Sequence, residues 1–221
     1  KKIPQISLRS AGEQKLKEDD SMMMELDGTN RTELLFFSDQ QNVYKMKGSD
    51  FADGKASVLG DYLPNILNMD AEEKILYMVA TTDYSGQMVF FFANGKAAKV
   101  PLRAYETKTN RKKLINAYSS KAELLRMAKL EEETDFVLMR NHDKAVLLHT
   151  DLIPASATKN ATGIQIFTLK KNSSVTQAFT AEEFQSEDKE YYRTKKVPSA
   201  GHFIKIEDAE ANHLPGQMTI E

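Results

Sequence analysis

The sequence has no cysteine and no tryptophan, and only ten glycines and six prolines in 221 residues. Without cysteine, disulfide scaffolds, thiol nucleophiles and cysteine-based zinc sites are excluded. No apolar run is long enough to cross a membrane, and residues 1–4 lack the apolar stretch of a signal peptide. Since 41% of the residues are hydrophobic, the chain has enough apolar material for a folded core. We therefore expect a globular cytoplasmic protein that contacts no membrane.

Charge is unevenly distributed along the chain. The formal net charge is −2, but residues 94–129 hold ten basic and two acidic side chains. A basic middle flanked by acidic ends indicates a surface that faces a polyanion. The alternative is that folding scatters these charges over a solvated face.

The chain contains an internal repeat. A shift of 54 positions places residues 34–37 (LLFF) on 88–91 (MVFF), and a further shift of 48 places these on 136–139 (FVLM). Three copies follow, over residues 17–70, 71–119 and 120–172. A repeat of about 50 residues is typical of propeller-like arrays, in which each sheet buries its faces against its neighbours.

Each copy reads as four antiparallel strands. The first strand is predicted at residues 20–24, 74–78 and 124–125, and the fourth within 57–67, 114–118 and 164–169. The second and third strands are joined by tight turns at 39–42, 93–96 and 141–144, and Asn94-Gly95 is a strong hairpin signal. The prediction is an all-β circular array of three clear blades, with residues 173–221 forming a partial fourth blade and an acidic, poorly packed tail. Periodicity alone leaves a β-solenoid open.

This pattern resembles a known family. An apolar strand, the turn Asn94-Gly95-Lys96, a strand ending at residues 99–102, a basic loop and a returning strand are similar to the blade repeat of a C-terminal domain found in bacterial type IIA topoisomerases. That domain belongs to the A subunits of DNA gyrase and of topoisomerase IV. The resemblance covers most of the chain. It implies a single β-pinwheel over residues 1–221, whose four-stranded blades exchange strands.

The resemblance also implies a function. In that family the domain is not catalytic: it binds and bends duplex DNA on a basic outer rim and steers strand passage. Its partners are duplex DNA, the ATPase (B) subunit of the heterotetramer, and the rest of its own A subunit, in the cytoplasm at the nucleoid. The resemblance implies no cofactor in this domain, because Mg²⁺ and ATP act elsewhere in the parent enzyme.

Two features depart from the gyrase pattern. The heptapeptide QRRGGKG, associated with DNA wrapping in gyrases, is absent, and the chain is too short for a full gyrase array. A shortened array without this box favours the topoisomerase IV type, and the choice between the two activities stays open.

Neutralisation of phosphates requires lysine and arginine side chains on one surface. The densest stretch is the loop 103–113, with Thr107, Thr109 and Asn110 as further donors. Lys45 and Lys99 occupy equivalent repeat positions, as do Lys96 and Lys144, so we expect them on one rim. The predicted DNA-binding residues are Lys45, Lys47, Lys96, Lys99, Arg103, Lys108, Arg111, Lys112, Lys113 and Lys144. For any single lysine the alternative is that it keeps a strand edge soluble. A second function stays open, a β-propeller-like protein-interaction module whose basic patch binds an acidic protein.

No catalytic or metal site is predicted. The histidines, at 142, 149, 202 and 213, have no HExxH spacing, and no GxSxG elbow, P-loop or GxGxxG occurs. Arg103-Ala104-Tyr105 is similar to the Arg-Tyr pair with which these topoisomerases cleave DNA, but its spacing is wrong. The acidic runs at 19–20, 72–73 and 131–133 recur between blades and are interpreted as solvated loops, and Met22-Met23-Met24 as core packing.

Overall fold

The computed structural model describes residues 1–5, 21–141 and 143–214, and these ranges are dominated by β-structure. The strands are β1 (Glu33–Ser38), β2 (Val43–Lys47), β3 (Ile75–Thr81), β4 (Gln87–Phe92), β5 (Lys96–Pro101), β6 (Lys113–Leu114), β7 (Leu124–Leu130), β8 (Asp135–Arg140), β9 (Lys144–His149), β10 (Ile164–Gln165), β11 (Val175–Thr180) and β12 (His202–Phe203). Two short α-helices, α1 (Leu63–Leu67) and α2 (Ile206–Ala211), complete the regular elements together with 3₁₀ turns. The all-β prediction is confirmed.

The strands form three four-stranded sheets in which every pairing is antiparallel. The strand orders are β3-β1-β2-β6, β10-β5-β4-β7 and β11-β8-β9-β12. A hairpin lies at the centre of each sheet, and its turn is one of the three turns predicted from the repeat. The described residues therefore contain three blades.

The sequence repeats and the sheets do not coincide. The hairpin β1–β2 of the first repeat is flanked by β3 and β6, which both belong to the second repeat. The hairpin β4–β5 is flanked in the same way by β7 and β10 of the third repeat, and β8–β9 by β11 and β12. Each repeat thus gives its outer strands to the preceding hairpin, which confirms the strand exchange that the resemblance implies.

The chain divides into two compact units. One comprises Lys1–Tyr84 with Tyr105–Ala117 and holds the first sheet; the other comprises Ser85–Ala104 with Tyr118–Glu221 and holds the second and third sheets.

In the first unit, both faces of the sheet are covered. Phe36 and Tyr44 lie on one face and pack with Phe51 and with Leu67 of α1. The opposite face carries Phe37, which meets Tyr105 edge-on with ring centroids 5.2 Å apart. Because both faces of the sheet are buried, the sequence of β1 is a continuous apolar run and does not alternate between apolar and polar residues.

In the second unit, a core of buried residues lies between the two sheets. Val89 and Phe91 of β4 pack with Phe136 and Leu138 of β8, and the rings of Phe91 and Phe136 are 4.8 Å apart. The other face of the third sheet packs against the segment that follows β11, which contributes buried residues from Phe184 to Leu214. Each fully buried Phe or Leu contributes about 1.5–3 kcal/mol of hydrophobic stabilisation.

The β4–β5 turn requires glycine. Gly95 has φ of 74°, and a Cβ there would lie 2.8 Å from the side-chain nitrogen of Gln165 and 2.9 Å from the carbonyl oxygen of Phe167. Any other residue would be strained and would push against β10 and the residues after it.

The opening run of the first repeat is not a strand. Residues 21–24 are irregular, and Met22 and Met23 are 57% and 90% exposed, so the interpretation as core packing is wrong for these two residues. In the other repeats this run pairs with the preceding hairpin, and no hairpin precedes it among the described residues. Asp19 and Asp20 lie outside the described ranges.

The segment 57–67, predicted as a strand, is an irregular stretch followed by α1. Pro64 lies in the first turn of this helix, where its missing N–H is not needed, and Asn68 ends the helix in the left-handed conformation with φ of 52°.

The carboxyl-terminal segment is also better ordered than predicted. β11 and β12 complete the third sheet, and Leu214 is buried, because the outer face of that sheet needs an apolar cover.

Candidate nucleic-acid interface

The basic loop of the first unit, residues 106–112, is fixed at both ends. It follows Tyr105, whose buried hydroxyl donates a hydrogen bond to the carbonyl oxygen of Ala117 at 2.7 Å. It ends where the backbone N–H of Lys45 donates to the carbonyl oxygen of Lys112 at 2.8 Å and β6 joins β2. Burial raises the pKa of Tyr105, so this anchor stays neutral.

Between these anchors the loop presents cations to solvent. Lys108, Arg111 and Lys112 are exposed, and Lys47 is exposed at the end of the neighbouring strand β2. Among the described residues none of these four side chains forms an ion pair. The Thr107 hydroxyl accepts a hydrogen bond from the Lys45 ammonium and donates one to the Thr109 carbonyl oxygen at 2.9 Å, so it holds the loop together. This loop therefore places three of the predicted cations together.

Lys113 supports the fold more than it faces solvent. Its ammonium lies 5.2 Å from the centre of the Tyr44 ring and 3.9 Å from the Asp70 carboxylate. Its interaction with the Tyr44 hydroxyl is the main reason that the pKa of Lys113 is raised. Reversal of its charge would disturb the first sheet as well as any anion bound there.

Lys45 is turned into the first unit. Its side chain is 10% exposed, and its ammonium lies 3.6 Å from Glu33 and 3.0 Å from the Thr107 hydroxyl. Burial lowers the pKa of Lys45, and the Glu33 carboxylate offsets part of this effect. The ammonium also lies 5.0 Å from the centre of the Tyr84 ring. Lys45 is therefore held by the protein's own groups.

Lys99 occupies a similar buried position in the second unit. Its side chain is 5% exposed, with the ammonium 2.5 Å from Glu133 and 3.0 Å from the carbonyl oxygen of Thr150. Burial raises the pKa of Glu133, but hydrogen bonds from Lys99 and Thr150 outweigh this effect and leave the pKa below its usual value. The equivalence of Lys45 and Lys99 is therefore real, but both side chains are largely buried.

The remaining predicted cations of the second unit are Arg103, Lys96 and Lys144. Arg103 is exposed in the 3₁₀ turn Leu102–Tyr105, and Lys96 and Lys144 are half-buried at the start of β5 and β9. Lys96 lies opposite Gln165 of the outer strand β10, and Lys144 lies opposite Phe203 of the outer strand β12. The expected equivalence of Lys96 and Lys144 is thus present in the strand register.

One acidic residue was misassigned. Glu73 is 4% exposed and accepts hydrogen bonds from Ser38, from the Asn42 amide at 2.8 Å and from the Tyr44 hydroxyl at 2.6 Å. It fixes the β1–β2 turn, so it is not a solvated loop residue, whereas Glu133 is an exposed loop residue that also holds Lys99. The partners are 29 to 35 residues apart in sequence for each of these contacts, and the sequence carries no local signal for them.

Sequence reasoning also missed cations in the carboxyl-terminal segment. Lys195 and Lys196 are exposed on the loop before β12. The doublet was a visible signal, but the net acidic composition of residues 181–221 concealed it.

In the described ranges no three His, Asp or Glu side chains are grouped as metal ligands would be, and no helix there is long and apolar enough to span a membrane. His142 lies outside the described residues.

Comparison with known structures identifies the architecture. The C-terminal domain of DNA topoisomerase IV matches 82% of this chain and 56% of its own chain, with a TM-score of 0.67 and 18% identity. The E. coli ParC C-terminal domain matches 83% of this chain and 81% of its own, with a TM-score of 0.62 and 10% identity. The fold is a β-pinwheel. At these identities the likeness establishes the fold of the three blades.

Sequence relatives of the β-pinwheel agree with this result. The gyrase A protein of Campylobacter jejuni is 32% identical over 75 residues, and that of Lawsonia intracellularis is 21% identical over 169 residues. These matches cover 33% and 76% of this chain, but only 9% and 21% of the relatives' own length. No protein-family model matches the chain. The resemblance to the C-terminal domains of gyrase and topoisomerase IV A subunits is confirmed.

Proposed function

We propose that this β-pinwheel is a non-catalytic DNA-binding and bending domain of a bacterial type IIA topoisomerase A subunit. The observation that carries the proposal is the loop 106–112, which presents Lys108, Arg111 and Lys112 to solvent from a fold shared with topoisomerase IV C-terminal domains. Catalysis, with its Mg²⁺ and ATP, belongs in this proposal to the B subunit together with the rest of the A subunit.

The chemistry of the loop suits a phosphate backbone. Clustered exposed cations displace counterions from duplex DNA and give an affinity that falls steeply with salt. Contacts of this kind hold and bend a duplex without reading its sequence. Lys47 extends the cluster along β2, and Arg103, Lys96 and Lys144 are the proposed contacts of the second unit.

Three predicted residues change role. Lys45 and Lys99 leave the proposed contact set because their ammonium groups are buried against Glu33 and Glu133. Lys113 stays beside the surface as a support for it, since it is engaged by Tyr44 and Asp70.

The proposal is tested by fluorescence anisotropy with a labelled duplex of about 40 base pairs across a salt series. We expect micromolar or tighter binding at low salt with no sequence preference. The double variant R111E/K112E should lose most of this affinity. The matched control K170E/K171E changes net charge equally, at a different exposed pair of basic residues.

Equal loss in both double variants would contradict a defined surface, since it would show that only net charge matters. Absence of duplex binding at low salt, combined with salt-sensitive binding of an acidic protein, would favour the protein-interaction module instead.

A further inference from the structure

An exposed aromatic ring protrudes from the outer edge of the third sheet. Phe203 lies on β12, directly opposite Lys144 of β9, and its side chain is therefore on the same face as Lys144. Phe203 is 63% exposed, and the Lys144 ammonium lies 4.3 Å from the centre of its ring. One face of the ring is thus occupied by a cation, and most of the remaining ring meets solvent.

The loop that precedes β12 adds positive charge at the same edge. It leaves β9 where the Thr194 N–H donates to the Leu147 carbonyl oxygen at 2.8 Å, and it returns where His202 lies opposite Ala145. Both ends are anchored two residues apart on one strand, and between them Ser199 holds the loop to residues 166–168. Lys195 and Lys196 are exposed on it and form no ion pair with any described residue.

Three acidic side chains of the adjoining segments are already paired, while Glu207 and Glu210 of α2 are exposed. The Asp143 carboxylate lies 3.0 Å from Arg140, Asp188 lies 3.1 Å from Lys205, and Glu190 lies 2.5 Å from Arg193. Their charges are therefore offset locally, whereas those of Lys144, Lys195 and Lys196 are not. The edge is complementary to an anion that also carries an aromatic face.

The other sheets offer an internal comparison. Since Val43, Ala97 and Ala145 are equivalent, the strand registers place Ile115, Gln165 and Phe203 at one equivalent position beside the outer strands. Ile115 is 65% exposed, as much as Phe203, but it has no ring. Of these three positions, only the one in the third sheet carries an aromatic ring. Ile115 in the first sheet exposes a similar apolar side chain without a ring.

We propose that Phe203, Lys144, Lys195 and Lys196 form a binding site for single-stranded DNA, with an unpaired base stacked on the open face of Phe203 and the lysines neutralising phosphates. Aromatic stacking combined with a cationic track is the general mode of single-strand binding. Duplex DNA does not fit this ring equally well because its bases are already stacked on one another. The site belongs to the other compact unit from the loop 106–112. It shares Lys144 with the proposed duplex contacts, and Phe203 adds a second activity to duplex binding.

The test uses a thymidine oligonucleotide of about 12 nucleotides with one central 2-aminopurine, whose fluorescence is quenched when it stacks. We expect quenching on binding to the intact chain. F203A should abolish the quenching and weaken binding about 5- to 100-fold, whereas F203W should retain both. F203L keeps an apolar side chain without a stacking ring, so it should behave as F203A.

The matched control is I115A, which removes equivalent exposed apolar surface from the first sheet and should leave binding unchanged. K195Q/K196Q should reduce the slope of log affinity against log salt by about 1.4, since each phosphate contact to a single strand contributes about 0.7. Circular dichroism of each variant checks that the fold is retained.

The inference fails if the intact chain does not quench 2-aminopurine, or if F203A and F203L bind the oligonucleotide as the intact chain does. Failure of the duplex proposal is a different result, namely loss of the difference between R111E/K112E and K170E/K171E on duplex DNA. F203A should leave duplex affinity unchanged, and R111E/K112E should leave 2-aminopurine quenching intact.

Discussion

At the scale of single residues, the position of a charge in the fold decides whether it holds the protein together or is offered to a ligand. Lys99 and Lys112 have the same side chain and lie 13 positions apart. Lys99 is enclosed by Glu133 and Thr150, whereas Lys112 is exposed at the end of a loop. Only the second can exchange counterions for phosphate without first breaking a contact inside the protein.

The Lys99–Glu133 pair predicts an asymmetry in stability. Glu133→Gln should cost about 3 kcal/mol of unfolding free energy, because the Lys99 ammonium stays buried without its anion. Lys99→Met should cost less, since the Glu133 side chain is a third exposed and water can solvate it. Urea unfolding of both variants measures the two costs.

Duplex affinity gives the same pair a second readout. Lys99→Met should bind duplex DNA as tightly as the intact chain does. A many-fold loss of affinity in a folded Lys99→Met variant would show that Lys99 contacts the duplex.

Glu73 predicts a dependence of stability on pH. Burial raises the pKa of Glu73, but hydrogen bonds from Ser38, Tyr44 and Asn42 outweigh it and leave the pKa below its usual value. A carboxyl with a depressed folded-state pKa contributes stability above its unfolded pKa of about 4.3, and this contribution is lost as the pH falls further. Glu73→Gln should therefore cost about 2 kcal/mol at pH 7, and the gap to the intact chain should narrow below about pH 4. Denaturant titrations at several pH values test this; a gap independent of pH would exclude an ionised Glu73.

At the scale of elements, short outer strands are stabilised by the segments around them. β12 has only two residues, yet Ile204 beside it is buried together with Phe184, Tyr192 and Leu214. The Tyr192 hydroxyl donates to the buried Asp208 carboxylate at 2.6 Å, which ties the turn Lys189–Tyr192 to α2. The acidic helix α2 is thus a cover for the third sheet.

Removal of residues 206–221 should therefore destabilise the protein. The truncation removes Asp208 and Leu214 and uncovers Tyr192, a loss at least as large as a buried Leu→Ala substitution, so the Tm should fall by at least about 6 °C. Truncation after Leu214 keeps every described contact and is the control. An unchanged Tm for the longer truncation would show that α2 is not a structural cover.

At the scale of the whole molecule, the proposed duplex affinity depends on how many exposed cations reach the phosphates together. Each cation removed from the interface should reduce the slope of log affinity against log salt by about 0.9. Lys112→Gln should therefore lower the slope by about one and weaken binding to all sequences equally. Anisotropy across a salt series measures the slope, with Lys171→Gln as the control whose slope should not change.

Much of the architecture could be predicted from the sequence, because blade hairpins are local. The three central hairpins and their turns follow from apolar runs separated by residues such as Asn94-Gly95, and the backbone geometry of such a turn is decided by neighbours in sequence. The basic loop 103–113 was also visible as a cluster of charges, and Lys108, Arg111 and Lys112 are exposed on it. The strand prediction for the first apolar run of the first repeat was wrong because a strand needs a pairing partner. Sequence periodicity does not show whether such a partner exists.

The amino-acid sequence by itself determined that this protein is built from repeated β-hairpins, has no thiol chemistry and concentrates positive charge in its middle. Only the tertiary structure decided which strands complete which sheet, that Lys45 and Lys99 are enclosed while Lys112 and Phe203 are presented, and that Glu73 and Asp208 are buried supports. The physical reason is range. Turn geometry and side-chain periodicity depend on adjacent residues, whereas burial, ion pairing and sheet completion depend on groups that folding brings together from tens of residues away.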